Sequence, residues 1–385
     1  MNQAVMRRHV KIVCTLGPAS SSPEIVRKML NAGMDVARFN LAYGTPEEHA
    51  RLISEVRLLS RRLRVFTGIL LDLPGLKRGI GDAKAIFSQH IEFALSQHAD
   101  FIALSFISSA RHVEEVKELL KEVNADISII AKIERGQALE ESSAILDVCE
   151  GLMVARGDLA LEISIEKVPL AQKRLIKEAN RRGKPVITAT QMLESMVKSA
   201  MPTRAEAADI ANAVLDGSDA LMLSEETAIG RYPIEAIETM AKIALEAESA
   251  FPYEQVPTEK WRDILPEVND ATARAACQIA HQVHARAIIA FTTGGTTALR
   301  VSKYRPREPI IAVTPSETVA RRLVLAWGVL PIKKPNPPNL EEVFELAKKV
   351  VLETGVANKG DLIVITAGLP LAVTGSTNLL KIHAI

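Results

Sequence analysis

Eight short, largely apolar runs recur along the first two-thirds of this chain, each followed by an amphipathic stretch. The runs fall at residues 10–16, 36–39, 68–73, 101–106, 127–133, 151–155, 185–189 and 220–223. Between them lie stretches with helical spacing, among them residues 23–32, 86–97, 112–123, 170–182 and 204–215. A continuous apolar strand must be covered on both faces, and helices between such strands impose parallel pairing. Eight such units predict an α/β fold of one kind, a closed (β/α)8 TIM barrel. Composition agrees, since aromatic residues make up only 4% of the chain and aliphatic side chains do the packing.

A long helical stretch at 233–250 closes the pattern. A Pro-containing, aperiodic segment at 251–266 reads as a boundary. Beyond it, a helix over 270–284 and strands at 287–291, 309–313, 330–332, 361–366 and 380–385 predict a smaller open α/β sheet. The expected division is therefore a barrel over 1–250 and a C-terminal domain over 251–385.

In a barrel of this type the site lies at the carboxyl ends of the strands. That rule selects Arg38, Asn40, Asp72, Ser105, Lys132, Glu134, Arg156 to Asp158, Thr190 and Ser224 to Glu226. Two segments stand out. Ala131-Lys132-Ile133-Glu134-Arg135-Gly136 puts a Lys and a Glu on one face of a strand end, because side chains alternate with a period of two. Val154-Ala155-Arg156-Gly157-Asp158-Leu159 brings an Arg and a second carboxylate to the same mouth. Two carboxylates, a Lys and an Arg around one pocket suit a divalent metal and a phosphorylated substrate. Solvated strand ends are the plainer reading of either segment alone. Asn40, Asp72 and Thr190 can equally be read as caps of the helices that follow.

In the C-terminal part, Thr292, Thr293, Gly294, Gly295, Thr296 and Thr297 follow a strand and open a helix. Their amides and hydroxyls could cradle a phosphate. A Gly-rich turn capped by Thr explains the same residues.

Charge excludes several classes of partner. Forty-seven Lys and Arg against 46 Asp and Glu leave a formal net charge of +1, so neither nucleic acid nor an anionic membrane is an expected partner. The basic start of the chain has no apolar core and does not read as a signal peptide, and no apolar run reaches membrane-spanning length. Cys14, Cys149 and Cys277 lack metal or disulfide spacing. A cytoplasmic protein is expected.

The motifs KIVCTLGPASSSPE, MDVARFN, AKIERG, LMVARGDLALEI, KPVITATQMLESM, PTRAEAADIANAVLDGSDALMLSEETAIGRYP and NLLKIHAI resemble the pyruvate kinase family over nearly the whole chain. That resemblance implies a (β/α)8 barrel with a C-terminal α/β domain, usually in a homotetramer. It implies phosphoryl transfer from phosphoenolpyruvate to ADP, giving pyruvate and ATP. By resemblance, Lys132 stands beside the transferring phosphoryl group and Arg38 contacts phosphate. Glu134 and Asp158 look like ligands of Mg2+ or Mn2+. Gly157 and Asp158 would present N–H groups to the substrate carboxylate, and Thr190 would lie near the enolate carbon. Asn40 and Asp72 sit where the family holds a monovalent cation. The Thr292 to Thr297 loop resembles one that binds sugar-phosphate effectors.

The chain departs from the family at one edge. The family inserts a β-rich lid after the third barrel strand, whereas here only residues 74–100 separate strands three and four. That length holds one helix and its turns, since a crossover needs only about a dozen residues. Ala42-Tyr43 replaces the family's Ser-His, and Ala42 has no oxygen for a potassium ion. Leu73-Pro74-Gly75-Leu76-Lys77 is similar to the variant in which a lysine ammonium replaces that ion, so Lys77 is the candidate and potassium should not be required. The expected function is a phosphotransferase weakened by the missing lid. Two alternatives remain: a non-catalytic or regulatory phosphometabolite-binding homologue, and metal-dependent enolate chemistry such as oxaloacetate decarboxylation without ADP.

Overall fold

A computed structural model of the chain describes residues 8–75, 83–253, 267–371 and 375–385. It divides into two compact units, residues 1–250 and 251–385.

The first unit is a closed barrel of eight parallel strands in sequence order. The strands are β1 (Lys11–Thr15), β2 (Val36–Asn40), β3 (Gly68–Leu73), β4 (Phe101–Leu104), β5 (Ser128–Ile133), β6 (Gly151–Ala155), β7 (Val186–Ala189) and β8 (Ala220–Leu223). Closure comes from β8 pairing with β1, with Ile12 opposite Leu221 and Cys14 opposite Leu223. Almost every strand residue is buried, which is why each strand reads as one apolar run rather than an alternation.

Local signals start and stop the covering helices. Ser22 caps Pro23–Ala32, accepting the Ile25 N–H, and Gly33 ends it in the left-handed conformation. Thr45 and Glu48 form a capping box at Pro46–Leu63, as do Thr203 and Glu206 at Arg204–Leu215. Each satisfies N–H groups that have no partner within the helix. The connection from β3 to β4 carries the helix Ala83–Ser96.

The second unit is a five-stranded sheet in the order β11-β10-β9-β12-β13. Its strands are β9 (Ile288–Phe291), β10 (Ile310–Thr314), β11 (Val329–Lys333), β12 (Leu362–Gly368) and β13 (Thr377–Ala384). The last strand runs antiparallel to β12, so the sheet is mixed. Apolar clusters lie on both of its faces, one around Ala276, Ile288 and Val301, the other around Ile289, Val343 and Val350.

Candidate active site

The carboxyl ends of β1 to β5 are tied together by charged side chains that the barrel buries. Arg38 lies within β2 and turns inward, donating to Asp72 Oδ2 of β3 from Nε at 2.9 Å and from Nη2 at 2.7 Å. Its Nη1 donates to Thr15 Oγ1 of β1 at 2.8 Å. Lys132 of β5 donates to Asp72 Oδ1 at 3.1 Å and to Ser105 Oγ at 2.7 Å, and it lies 2.8 Å from Glu134 Oε1. These three partners match the three N–H donors of an ammonium. Arg38, Asp72, Lys132 and Glu134 are exposed by only 7%, 1%, 8% and 1%.

Burial on this scale is tolerated only with compensating charges. Burial pushes the Asp72 carboxyl up, but Arg38 and Lys132 outweigh it and hold the group below its ordinary value. Burial likewise opposes the Lys132 charge, and Asp72 with Glu134 more than offsets it, so Lys132 stays firmly cationic. Glu134 is pushed up, first by burial, which Lys132 only partly offsets, and also by the charge of Asp158. The two carboxylates thus feel one another across the mouth.

The other Glu134 oxygen accepts the Phe106 N–H at 2.6 Å. Phe106 has a left-handed backbone, φ 56°. Its ring leaves no room for a side chain at residue 75, where an added Cβ would come within 2.0 Å of the ring. Gly75 is therefore a close-approach glycine.

At β6 and β7 the construction differs. Thr190 follows β7 with φ 69°, and Gln191 follows with φ 56°. For a β-branched residue this region is a genuine outlier, costing about 1–2 kcal/mol. Thr190 Oγ1 accepts the Gly157 N–H at 2.8 Å and lies 2.6 Å from the Ala189 carbonyl, to which its own proton points. Thr190 is therefore bound to the first turn of the helix Arg156–Glu162, which follows β6, and not to a helix following its own strand. In this structure the Gly157 N–H already has a partner.

Arg156 does not supply charge to the mouth as the sequence led us to expect. It is buried, and its Nη1 lies 2.6 Å from Asp209 Oδ2, while Nη2 donates to the Thr190 carbonyl at 2.6 Å. Its charge is already neutralised by Asp209. Asn40 turns its Oδ1 to the Ala42 N–H at 3.1 Å, closing the local loop. Lys77 lies outside the described residues. Ser105, selected by the strand-end rule, joins the ionic network, and so does Thr15, which was not singled out because a hydroxyl at a strand end carries no distinctive pattern.

In the second unit, Thr292 Oγ1 accepts the Gly295 N–H at 2.9 Å, and Gly295 has φ 91°. Thr297 Oγ1 meets Thr377 Oγ1 at 2.7 Å. Beside this turn is an open cleft lined by Thr292, Thr293, Gly294, Thr296, Thr297 and Asn336 among others.

The profile described as "Pyruvate kinase, barrel domain" matches residues 7–86 and 82–237, and "Pyruvate kinase, alpha/beta domain" matches 270–383. The chain belongs to the pyruvate kinase family. Proteins named pyruvate kinase from Staphylococcus aureus strains USA300 and COL are each 36% identical to it over 471 aligned positions, covering 98% of this chain and 80% of theirs. The strain RF122 protein matches to the same extent. An alignment longer than the chain means that these pyruvate kinases carry sequence this chain lacks. The barrel profile breaks at residues 82–86, in the connection from β3 to β4. This member lacks the inserted lid.

Proposed function

We propose that this chain transfers the phosphoryl group of phosphoenolpyruvate to ADP, giving pyruvate and ATP, with the transfer step weakened relative to enolate chemistry. The observation that carries the reading is the buried cluster of Arg38, Asp72, Lys132 and Glu134 at the carboxyl end of the barrel. Arg38 binds the phosphate through N–H groups not used on Asp72 and Thr15. Lys132 exchanges Ser105 or Glu134 for a phosphoryl or enolate oxygen and offsets the charge developing there. Asp72 keeps both cations oriented. Gly157 and Asp158 meet the substrate carboxylate once the Gly157 N–H leaves Thr190. The freed Thr190 hydroxyl then stands near the enolate carbon, where a proton must arrive.

Glu134 and Asp158 fit a divalent ion. Both offer hard oxygens, and with Asp72 they make three carboxylates against two cations, an excess that a dication would relieve. Among the described residues no group of three or more His, Cys, Asp or Glu could hold a metal, so substrate and water oxygens would complete the shell, as Mg2+ or Mn2+ allows. When bound, the ion supplies Lewis-acid stabilisation of substrate oxygens.

We further propose that Asn40, Asp72 and Lys77 form a region that works without potassium. Ala42 lacks a ligand oxygen, Asn40 Oδ1 faces the Ala42 N–H, and Asp72 already has two cations. The cleft beside Thr292, Thr293, Gly294, Gly295, Thr296 and Thr297 is proposed to take a sugar-phosphate effector. A homotetramer in the cytoplasm is the assembly and location that the family supports. No described helix is long and apolar enough to cross a membrane.

Enolate chemistry without ADP is favoured as a second activity by one observation. Lys132, Glu134, Asp158 and Thr190 are all present, while the lid is not. Phosphoryl transfer also needs ADP held in line and water excluded. The test measures ATP formation from phosphoenolpyruvate and ADP, with and without potassium, beside metal-dependent deuterium exchange into pyruvate. Transfer should fall short of exchange by on the order of a thousandfold. Turnover near that of an efficient kinase would defeat the lid argument. Absence of both activities, with phosphoenolpyruvate still bound, would leave the non-catalytic binder.

A further inference from the structure

The left-handed pair Thr190–Gln191 needs something to hold it, and the residue in position is Arg156. Its guanidinium lies under the turn, with Nη2 on the Thr190 carbonyl at 2.6 Å and Nε on the Ala189 carbonyl at 3.3 Å. On its far side it meets both oxygens of Asp209, at 2.8 and 2.6 Å, and Gln172 Oε1 at 3.4 Å. The next residue, Gly157, donates its N–H to the Thr190 hydroxyl oxygen at 2.8 Å. Thr190 is thus gripped at its carbonyl by Arg156 and at its hydroxyl by Arg156's neighbour.

A planar fork suits this task. It donates to two successive carbonyls and still meets a carboxylate side-on, which an ammonium cannot do from one position. The direction of the Thr190 carbonyl follows from that residue's left-handed backbone, so its bond to Arg156 reports on the turn, whereas the Ala189 carbonyl belongs to β7. Asp209 comes from the helix Arg204–Leu215, after β7, so the clamp links three elements of the mouth.

We infer that Arg156, balanced by Asp209, is a positioning residue that keeps the Thr190–Gln191 turn left-handed and thereby aims the Thr190 hydroxyl. Its effect on catalysis rests on the functional reading above, in which Thr190 serves the enolate carbon. Its effect on the turn does not.

Two variants test it. Arg156→Lys keeps the positive charge but loses the fork. Asp209→Asn keeps the shape but removes the counter-charge from a site that is 35% exposed, where folding should survive. Deuterium exchange into pyruvate should fall about tenfold or more in Arg156→Lys and by a smaller factor in Asp209→Asn, because misplacement of a reacting group is costly. KM for phosphoenolpyruvate should move less than about twofold, since Arg156 touches no substrate. In a Thr190→Val background, Arg156→Lys should add no further loss. An equal loss in that background overturns the inference. Threonine-methyl NMR supplies a readout independent of activity. The Thr190 methyl signal should shift in both variants, while that of Thr297 in the second unit stays in place. If the unaltered protein proves inactive, the functional reading fails and the methyl signal alone decides. A Thr190 signal unmoved in both variants overturns the positioning role.

Discussion

The barrel mouth and the cleft of the second unit both lie where parallel strands give way to helices, yet they are lined by opposite chemistry. At the mouth, Arg38, Asp72, Lys132 and Glu134 are nearly fully buried and mutually paired. At the cleft the polar groups are hydroxyls, amides and the Asn336 side chain, with no charged residue among the described residues lining it. Buried charges are costly to assemble and respond strongly to a change in charge nearby. Neutral donors cost little to place and hold an anion through dipoles alone. On the functional reading proposed above, the first region would follow charge as it moves during a reaction and the second would bind and release an anion.

The largest test of that contrast is Asp72→Asn. It leaves Arg38 and Lys132 buried beside one another with their shared counter-ion gone. Breaking a buried pair in this way should destabilise the barrel by about 3–5 kcal/mol at neutral pH, read by urea unfolding. A loss under about 1 kcal/mol would mean that solvent reaches the cluster and the contrast is false. The pH dependence has a definite sign. The folded-state pKa of Asp72 is depressed, so between its folded and unfolded values the unfolded chain binds more protons. The stability that Asp72 contributes is therefore present above the unfolded value of about 3.9 and disappears as pH falls through the folded value. Asp72→Asn should remove that acid-side component.

Glu134→Gln comes next. It removes one anionic oxygen from the proposed metal pair and one partner from Lys132. Mn2+ binding, measured by titration, should weaken about tenfold or more, and deuterium exchange should fall with it. Because the folded Glu134 pKa is raised, this carboxylate detracts from stability as pH rises from its unfolded value through its folded one. The Gln variant should accordingly unfold no more easily than the unaltered protein at high pH. Unchanged Mn2+ affinity would remove Glu134 from the metal site.

How much of this was legible depended on whether a residue acts through its own strand or through a distant one. Strands β3, β6 and β8 have the bounds their apolar runs predicted, because strands buried on both faces advertise themselves. Strand β4 ends at Leu104, short of the apolar run, because Phe106 turns left-handed to meet Glu134. Lys132 and Glu134 were legible as a pair, since residues two apart at the end of a strand share a face. Arg156 was misread as a charge for the mouth. Its partner Asp209 lies far along the chain, and nothing near Arg156 announces it. The left-handed Thr190 was equally hidden, because a β-branched residue gives no local sign of positive φ. Strand β13 begins at Thr377, earlier than predicted, since most of its residues are at least partly exposed along an edge and they form no continuous apolar run.

The smallest effect is expected at the cleft. Thr296 lines it and opens the helix Thr296–Lys303, whereas the hydroxyls of Thr292 and Thr297 are bonded to Gly295 and Thr377. Thr296→Val removes one neutral donor and leaves the turn intact. A single hydrogen bond of this kind contributes about 1 kcal/mol, so the Kd for a sugar monophosphate or bisphosphate should rise about fivefold. Calorimetry on the full chain reads this directly, and urea unfolding of the barrel should not change. If the unaltered protein binds neither ligand at millimolar concentration, the segment from Thr292 to Thr297 is only a capped turn. If Thr296→Val abolishes binding altogether, a single hydroxyl is doing what the contrast assigns to a set of weak dipoles. The cleft would then resemble the barrel mouth in depending on one decisive group, and the division between the two regions would fail.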